Sequence, residues 1–222
     1  MKQTKWNHTN IDDHTGKIVI VTGGASGIGL ETASILASKN ATVIIAVRNL
    51  EKGETAQNLI KKNFPKADIR IMELDLANLS SVLTFTEKFK LAFSRLDLLI
   101  NNAGVMIPPY QKTADGFELQ MGTNHLGHFA LTCVLIDLIK STKESRIVNV
   151  SSMAHKTGNI NFNDLNWEKR KYKKWSAYGD SKIANLYFTF SLQQRLEKEN
   201  SHVIVAAAHP GYRSEEHTSE LQ

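Results

Sequence analysis

Residues 17–29 read Lys-Ile-Val-Ile-Val-Thr-Gly-Gly-Ala-Ser-Gly-Ile-Gly, and this stretch decides the fold. Lys17 to Val21 is a short apolar, β-branched run, the pattern of a parallel strand buried on both faces. It runs straight into glycines. From Ile28 the pattern turns helical, with Ile28, Ala33, Leu36 and Ala37 able to share one face as far as Asn40. Strand, glycine turn and helix form the setting in which a helix N-terminus takes a dinucleotide pyrophosphate. Gly23 suits the tight turn, Gly27 the approach of backbone to phosphate, and Gly29 the packing of helix on strand. Ser26 and Ile28 complete the turn as candidate cofactor contacts. The spacing is T-G-x-x-x-G-x-G, a departure from G-x-G-x-x-G.

Outward from this unit, strands and helices alternate along the chain, as a parallel sheet with helices on both faces requires. The second strand, Ala41 to Val47, is followed by Arg48 where many NAD-binding units carry an acid for the ribose 2′-hydroxyl. A guanidinium pairs with a 2′-phosphate and a carboxylate repels it, so the expected cofactor is NADP (NADPH). The alternative is that Arg48 sits in a solvated loop. The third strand, Ile69 to Leu76, ends in Asp75, which either accepts from the adenine amino group or starts the next helix. The fourth ends in Asn101-Asn-Ala-Gly104, where Asn101, Asn102 and Gly104 suit a crevice in which backbone and ligand lie close, the asparagines tying neighbouring strand ends together.

Tyr178 and Lys182 stand four apart in a helix-like segment, which puts both on one face. A phenol titrates near 10, at about 1.4 kcal/mol per pH unit. A neighbouring ammonium favours the phenolate, so the tyrosine can exchange a proton near neutral pH. The fifth strand, Arg146 to Ser152, ends in a hydroxyl facing the crevice; Ser152 is the expected donor to the substrate oxygen, with Ser151 as alternative. Asn124 lies inside a long apolar helix, where asparagine is disfavoured. It could hold a bend, leaving its carbonyl to bind water beside Lys182.

These motifs resemble the short-chain dehydrogenase/reductase family over about residues 15–212: the glycine turn, Asp75, Asn101-Asn-Ala-Gly104, Asn124, Ser152, Tyr178-x-x-x-Lys182 and Pro210-Gly211, in family order. Ala46-Val-Arg-Asn49, Thr123 to Phe129 and Val150 to His155 look like the branch of retinol dehydrogenases and WW-domain oxidoreductases. The resemblance implies an α/β, Rossmann-type doubly wound sheet in a three-layer αβα sandwich. It implies Tyr178 as acid/base, Ser152 holding the carbonyl, Lys182 binding the nicotinamide ribose, and Asn124 supporting the proton relay. It also implies cofactor contacts at Leu76, Ala103, Pro210 and Gly211. The expected reaction interconverts a carbonyl and an alcohol on an apolar small molecule, of retinoid, steroid or lipid-aldehyde type. The rival from another class is an NADP-binding sensor with little chemistry, or an inactive fragment.

The chain has 222 residues and a formal charge of +5. That length suits one domain with a sizeable core. The single cysteine, Cys133, excludes an internal disulfide and reads as a buried thiol. The histidines show no metal spacing, and no metal is expected. No apolar run approaches the roughly 18 residues of a membrane span. With a polar start, the expectation is a cytoplasmic protein without signal peptide. Trp167 to Trp175 mixes aromatics with basic residues. A loop packed on the body or bordering the cleft is the preferred reading over a nucleic-acid or anionic-membrane contact. Partners are expected to be the small-molecule substrate and a second copy in a homodimer, with no nucleic acid.

The last ten residues, Arg213 to Gln222, break every earlier pattern and equal the in-frame translation of a common sequencing-library adapter. The reading is a single domain over 1–212, truncated before its last strand and substrate lid, with 213–222 a non-native tail. The sixth strand, His202 to Ala208, is then expected as an exposed edge, and the chain as written to be less stable and weak or inactive.

Overall fold

The computed structural model describes residues 7–211. Tyr212 and the tail 213–222 lie outside the described residues, so the expectations for them do too.

Six strands form one parallel sheet: β1 (Ile18–Thr22), β2 (Thr42–Val47), β3 (Ile69–Glu73), β4 (Leu98–Asn101), β5 (Arg146–Val150) and β6 (Ile204–Ala208). Their order is β3-β2-β1-β4-β5-β6, with every pair parallel. The order reverses between β1 and β4, and that switch point opens a crevice at the carboxyl ends of the strands. Helices α1 (Gly27–Ser38), α2 (Leu50–Asn63) and α3 (Leu79–Ala92) follow β1, β2 and β3. A long interrupted helix follows β4: α4 (Leu119–Met121), a π-helical turn (Gly122–Leu126) and α5 (Gly127–Ser141). The last helix, α6 (Lys174–Lys198), follows β5.

Alternate residues of one strand feed two separate cores. Val19 and Val21 of β1 pack with Ala33, Leu36, Ala56 and Ile60 of α1 and α2. Ile20 joins Phe85, Phe89, Leu131, Leu135 and Leu196 of α3, α5 and α6. Both faces of the sheet are therefore buried, which is why its strands read as continuous apolar runs. This is the expected three-layer sandwich. β6 pairs only with β5 among the described residues, and Ile204 and Ala206 to Ala208 are exposed.

Some boundaries differ from those read in the sequence. β3 stops at Glu73 because Asp75 makes a turn, its Oδ1 accepting from the amide of Ala77 at 2.9 Å. Asn78, not Asp75, caps α3. β5 stops at Val150, although Ser151 still donates its amide to the Ala208 carbonyl at 2.8 Å. Cys133 is exposed, not buried. The buried stripe of α5 runs through His128, Leu131, Thr132, Leu135 and Ile139, and position 133 falls off it.

Candidate active site

The glycine turn sits on a hub made by Thr22, the last residue of β1, which is fully buried. Its hydroxyl accepts from the amides of Asn102 (2.9 Å) and Ala103 (3.0 Å), and its carbonyl accepts from Asn102 Nδ2 (2.9 Å). β1 and β4 are thus locked together where the chain turns. Gly23 follows with φ +66°, and a Cβ there would stand 3.0 Å from Ala103 Cα. At Gly29 a Cβ would fall on the Gly23 carbonyl oxygen, so only glycine lets α1 come this close. Gly27 also has positive φ (+49°) but faces open space. Ser26, in an extended N-cap conformation, makes no side-chain cap to α1, and both Ser26 and Gly27 are exposed. The first-turn amides of α1 therefore receive no side-chain acceptor from the N-cap residue. Ile28 is half-buried.

The far rim of the crevice carries the remaining candidates. Arg48 is exposed, two residues past Ala46, whose carbonyl accepts from the Gly23 amide at 2.9 Å. Asp75 is half-buried beyond β3, and Leu76 is buried against Gly127 at the start of α5. Asn102 and Ala103 underlie Gly23, and exposed Gly104 lies next to Asn124 and Lys182. Pro210 and Gly211 lie exposed just past β6, with φ +82° at Gly211.

The proposed chemical groups gather at the same strand ends. Lys182 is buried on α6, with Nζ 5.6 Å from the centroid of the Tyr178 ring. Its ammonium donates to the Val150 carbonyl at 3.2 Å, and a Cβ at Gly104 would lie 3.6 Å from it. Burial pushes the Lys182 ammonium down to about 8, so it is still mostly charged at neutral pH. The two serines after β5 are distinct. Ser151 is buried and donates to the Lys182 carbonyl at 2.9 Å. Ser152 is half-buried, and its oxygen accepts from the Ala154 amide at 3.2 Å, leaving its proton outside that bond. Asn124 is fully buried in the π-helical turn, the bend expected of it. Its side chain clamps the chain after β4: Oδ1 accepts from the Val105 amide (2.7 Å), and Nδ2 donates to the Val105 carbonyl (2.9 Å) and to Ser181 Oγ (3.0 Å). Ser181 in turn donates to the Tyr178 carbonyl at 2.8 Å. The Asn124 carbonyl accepts from His128 Nδ1 at 3.0 Å.

The stretch that carries the glycine turn, Asn124 and Ser152 is matched by a known family, whose model stops short of Tyr178 and Lys182. The short chain dehydrogenase family model matches residues 17–164. The chain belongs to the short-chain dehydrogenase family.

Members of this family bind NAD(P). Retinol dehydrogenase 13 of Homo sapiens is 48% identical over 196 residues, covering 88% of this chain and 59% of that protein. The chain spans about three-fifths of the length of the curated relatives it matches. Among solved structures, an uncharacterized protein from Mycobacterium Paratuberculosis is 47% identical with a TM-score of 0.86, over 94% of this chain and 73% of that one. The Pseudomonas aeruginosa RhlG/NADP active-site complex is 25% identical with a TM-score of 0.69, over 88% and 72%.

Several contacts between residues far apart in the sequence brace this short-chain dehydrogenase site. That of Thr22 with His128 is the clearest. A second is the buried chain Asn101–Asn149–Thr189 across β4, β5 and α6, with contacts of 2.8 and 2.9 Å. A third is buried Glu118, which accepts from the Met121 amide and from Tyr172 Oη, both at 2.7 Å. Tyr172 brings the aromatic-basic insertion onto the body; its phenol is pushed up by burial and by Glu118. Trp167 is buried against Tyr172, and the Arg170 guanidinium lies 3.5 Å over its ring. Trp175 stays half exposed. Among the described residues no group of three or more His, Cys, Asp or Glu is placed to hold a metal ion, and no helix is long and apolar enough to cross a membrane.

Proposed function

We propose that the protein is an NADP-dependent oxidoreductase interconverting a carbonyl and an alcohol on an apolar small molecule. The observation that carries this reading is the buried Lys182 ammonium 5.6 Å from the Tyr178 ring, at the crevice where the glycine turn opens. The turn fits a dinucleotide: uncapped α1 amides, exposed Ser26 and Gly27, and open space above Gly27. When bound, NADPH supplies the hydride. Gly23, Ser26, Gly27, Ile28 and Gly29 would hold its pyrophosphate, and Asn102, Ala103 and Gly104 would contribute further contacts from the end of β4. Arg48 takes the 2′-phosphate by charge and hydrogen bonding. Asp75 would accept from the adenine amino group, and Leu76, Pro210 and Gly211 would make further contacts to the cofactor.

Tyr178 gives its proton to the carbonyl oxygen in reduction and takes it back in oxidation. Lys182 favours the phenolate by its charge and binds the nicotinamide ribose. Ser152 donates to the same oxygen; Ser151 is the weaker choice because its hydroxyl is spent on the Lys182 carbonyl. Asn124 fixes the loop after β4 against α6 and so keeps Tyr178 in register.

The similarity to retinol dehydrogenases favours a retinoid-like substrate. All-trans-retinal with NADPH is therefore the first assay. Saturable NADPH consumption with retinol as product supports the reading. NADPH binding without turnover of any apolar aldehyde points instead to a sensor or an inactive fragment. Exposed Phe129, Tyr187 and Phe190 on α5 and α6 support a homodimer; sedimentation of wild type and F190K as dimer and monomer is expected. The cytoplasm is its proposed compartment, checked by cell fractionation.

A further inference from the structure

His128 lies four residues past Asn124, 2% exposed, and both ring nitrogens are engaged. Nδ1 stands 3.0 Å from the Asn124 main-chain oxygen. A carbonyl only accepts, so Nδ1 carries the proton. A neutral ring then offers Nε2 as acceptor, and Thr22 Oγ1 donates to it at 2.8 Å. A second acceptor for that hydroxyl, the Ile100 carbonyl, is more distant at 3.3 Å. Thr22 Oγ1 also accepts from the amides of Asn102 and Ala103. One proton and two lone pairs are all the hydroxyl has, and all are used. The titratable groups bearing on the ring are Lys182 and His125, both of which disfavour a second proton there. Burial does so more strongly and pushes the imidazolium down to about 3.

The two limbs reach different parts of the site. One fixes the carbonyl of the residue at the π-helical bend. The other fixes the hydroxyl that seats the glycine turn on the end of β4. We propose that His128 is a positioning residue of this dehydrogenase site, its Nδ1–H tautomer joining the Asn124 carbonyl to the Thr22 hub. As a statement about catalysis this rests on the function proposed above. The link itself is a property of the fold, independent of turnover.

The test separates the limbs. His128→Asn places an amide N–H where Nδ1 stands and keeps the Asn124 limb. His128→Gln places an amide oxygen near Nε2 and keeps the Thr22 limb. Both are made in the 222-residue chain and measured for NADPH dissociation constant, kcat with all-trans-retinal, and Tm. Losing one buried hydrogen bond is worth about tenfold, or 1.4 kcal/mol. H128N is expected to weaken NADPH binding by about that factor while losing less kcat than H128Q; H128Q shows the converse. Equal loss of both constants in both variants, in step with Tm, means a merely structural histidine and overturns the proposal. Ring ¹⁵N spectra of wild type give a readout free of activity. An Nδ1–H tautomer unchanged between about pH 5 and 9 is expected. An Nε2–H tautomer, or a ring that titrates in that range, overturns the proposal. Wild-type chain that binds NADPH but reduces nothing counts against the proposed reaction, while spectra and NADPH binding still decide the role of His128.

Discussion

Lys182→Met should make the protein more stable and abolish its activity. The wild-type ammonium is buried and donates to the Val150 carbonyl, and burial pushes its titration down to about 8 from 10.5. At 1.36 kcal/mol per pH unit, that gap costs the folded state about 3 kcal/mol wherever the charge is present in both states. Below pH 8 the folded protein carries the buried charge and the full cost applies. Between about 8 and 10.5 the unfolded lysine keeps its proton while the folded one has lost it, so stability rises with pH. Above that window the cost has gone. Methionine matches the length and removes the charge. The Val150 carbonyl keeps a donor, Asn185 Nδ2 at 3.2 Å, so no buried acceptor is orphaned. K182M is therefore expected to melt about 6–12 °C above wild type at pH 7, for a chain this size. The advantage should fade toward zero by about pH 10.5. Thermal melts of both proteins at the two pH values measure it. A K182M protein no more stable at pH 7, or equally advantaged at both pH values, refutes the argument that this lysine is held at a cost in stability. Activity with NADPH should disappear at every pH.

Two further outcomes follow from the cofactor cradle. Arg48→Ala should raise the NADPH dissociation constant about 10- to 100-fold, the worth of a charged hydrogen bond, and leave NADH nearly unchanged; equal effects on both, by fluorescence titration, remove Arg48 from the 2′-phosphate. Gly29→Ala puts a methyl onto the Gly23 carbonyl, so α1 must shift. It should lower Tm and weaken NADPH binding at least about tenfold, the reach of a few kcal/mol of packing strain. Unaltered binding would mean that the turn does not depend on this approach.

Much of this was legible because it is local. The run Lys17 to Gly29 states strand, turn and helix in order, and the periodicity of Tyr178 and Lys182 places both on one face of α6. The tertiary glue was not legible. Thr22 and His128 are 106 residues apart, and nothing in either local string says they touch. One local signal exists: His128 stands four past Asn124, the spacing at which a helical side chain reaches back to a carbonyl. Cys133 misled because the α5 segment is apolar throughout, and composition does not say which face turns to solvent. The insertion packs on the body as its preferred reading had it, but its local conformation was not legible. Trp167 adopts φ +56°, an αL conformation rare for a bulky side chain, and is held there among Tyr172 and Arg170 from the same loop.

The account turns on the proton at Tyr178, and Tyr178→Phe tests it with NADPH binding and retinal reduction measured on the same sample. General acid catalysis is worth about 10²- to 10⁴-fold, so turnover should fall by that factor while the NADPH dissociation constant stays within about twofold. A phenylalanine variant that reduces the aldehyde at the wild-type rate would contradict the mechanism at its centre.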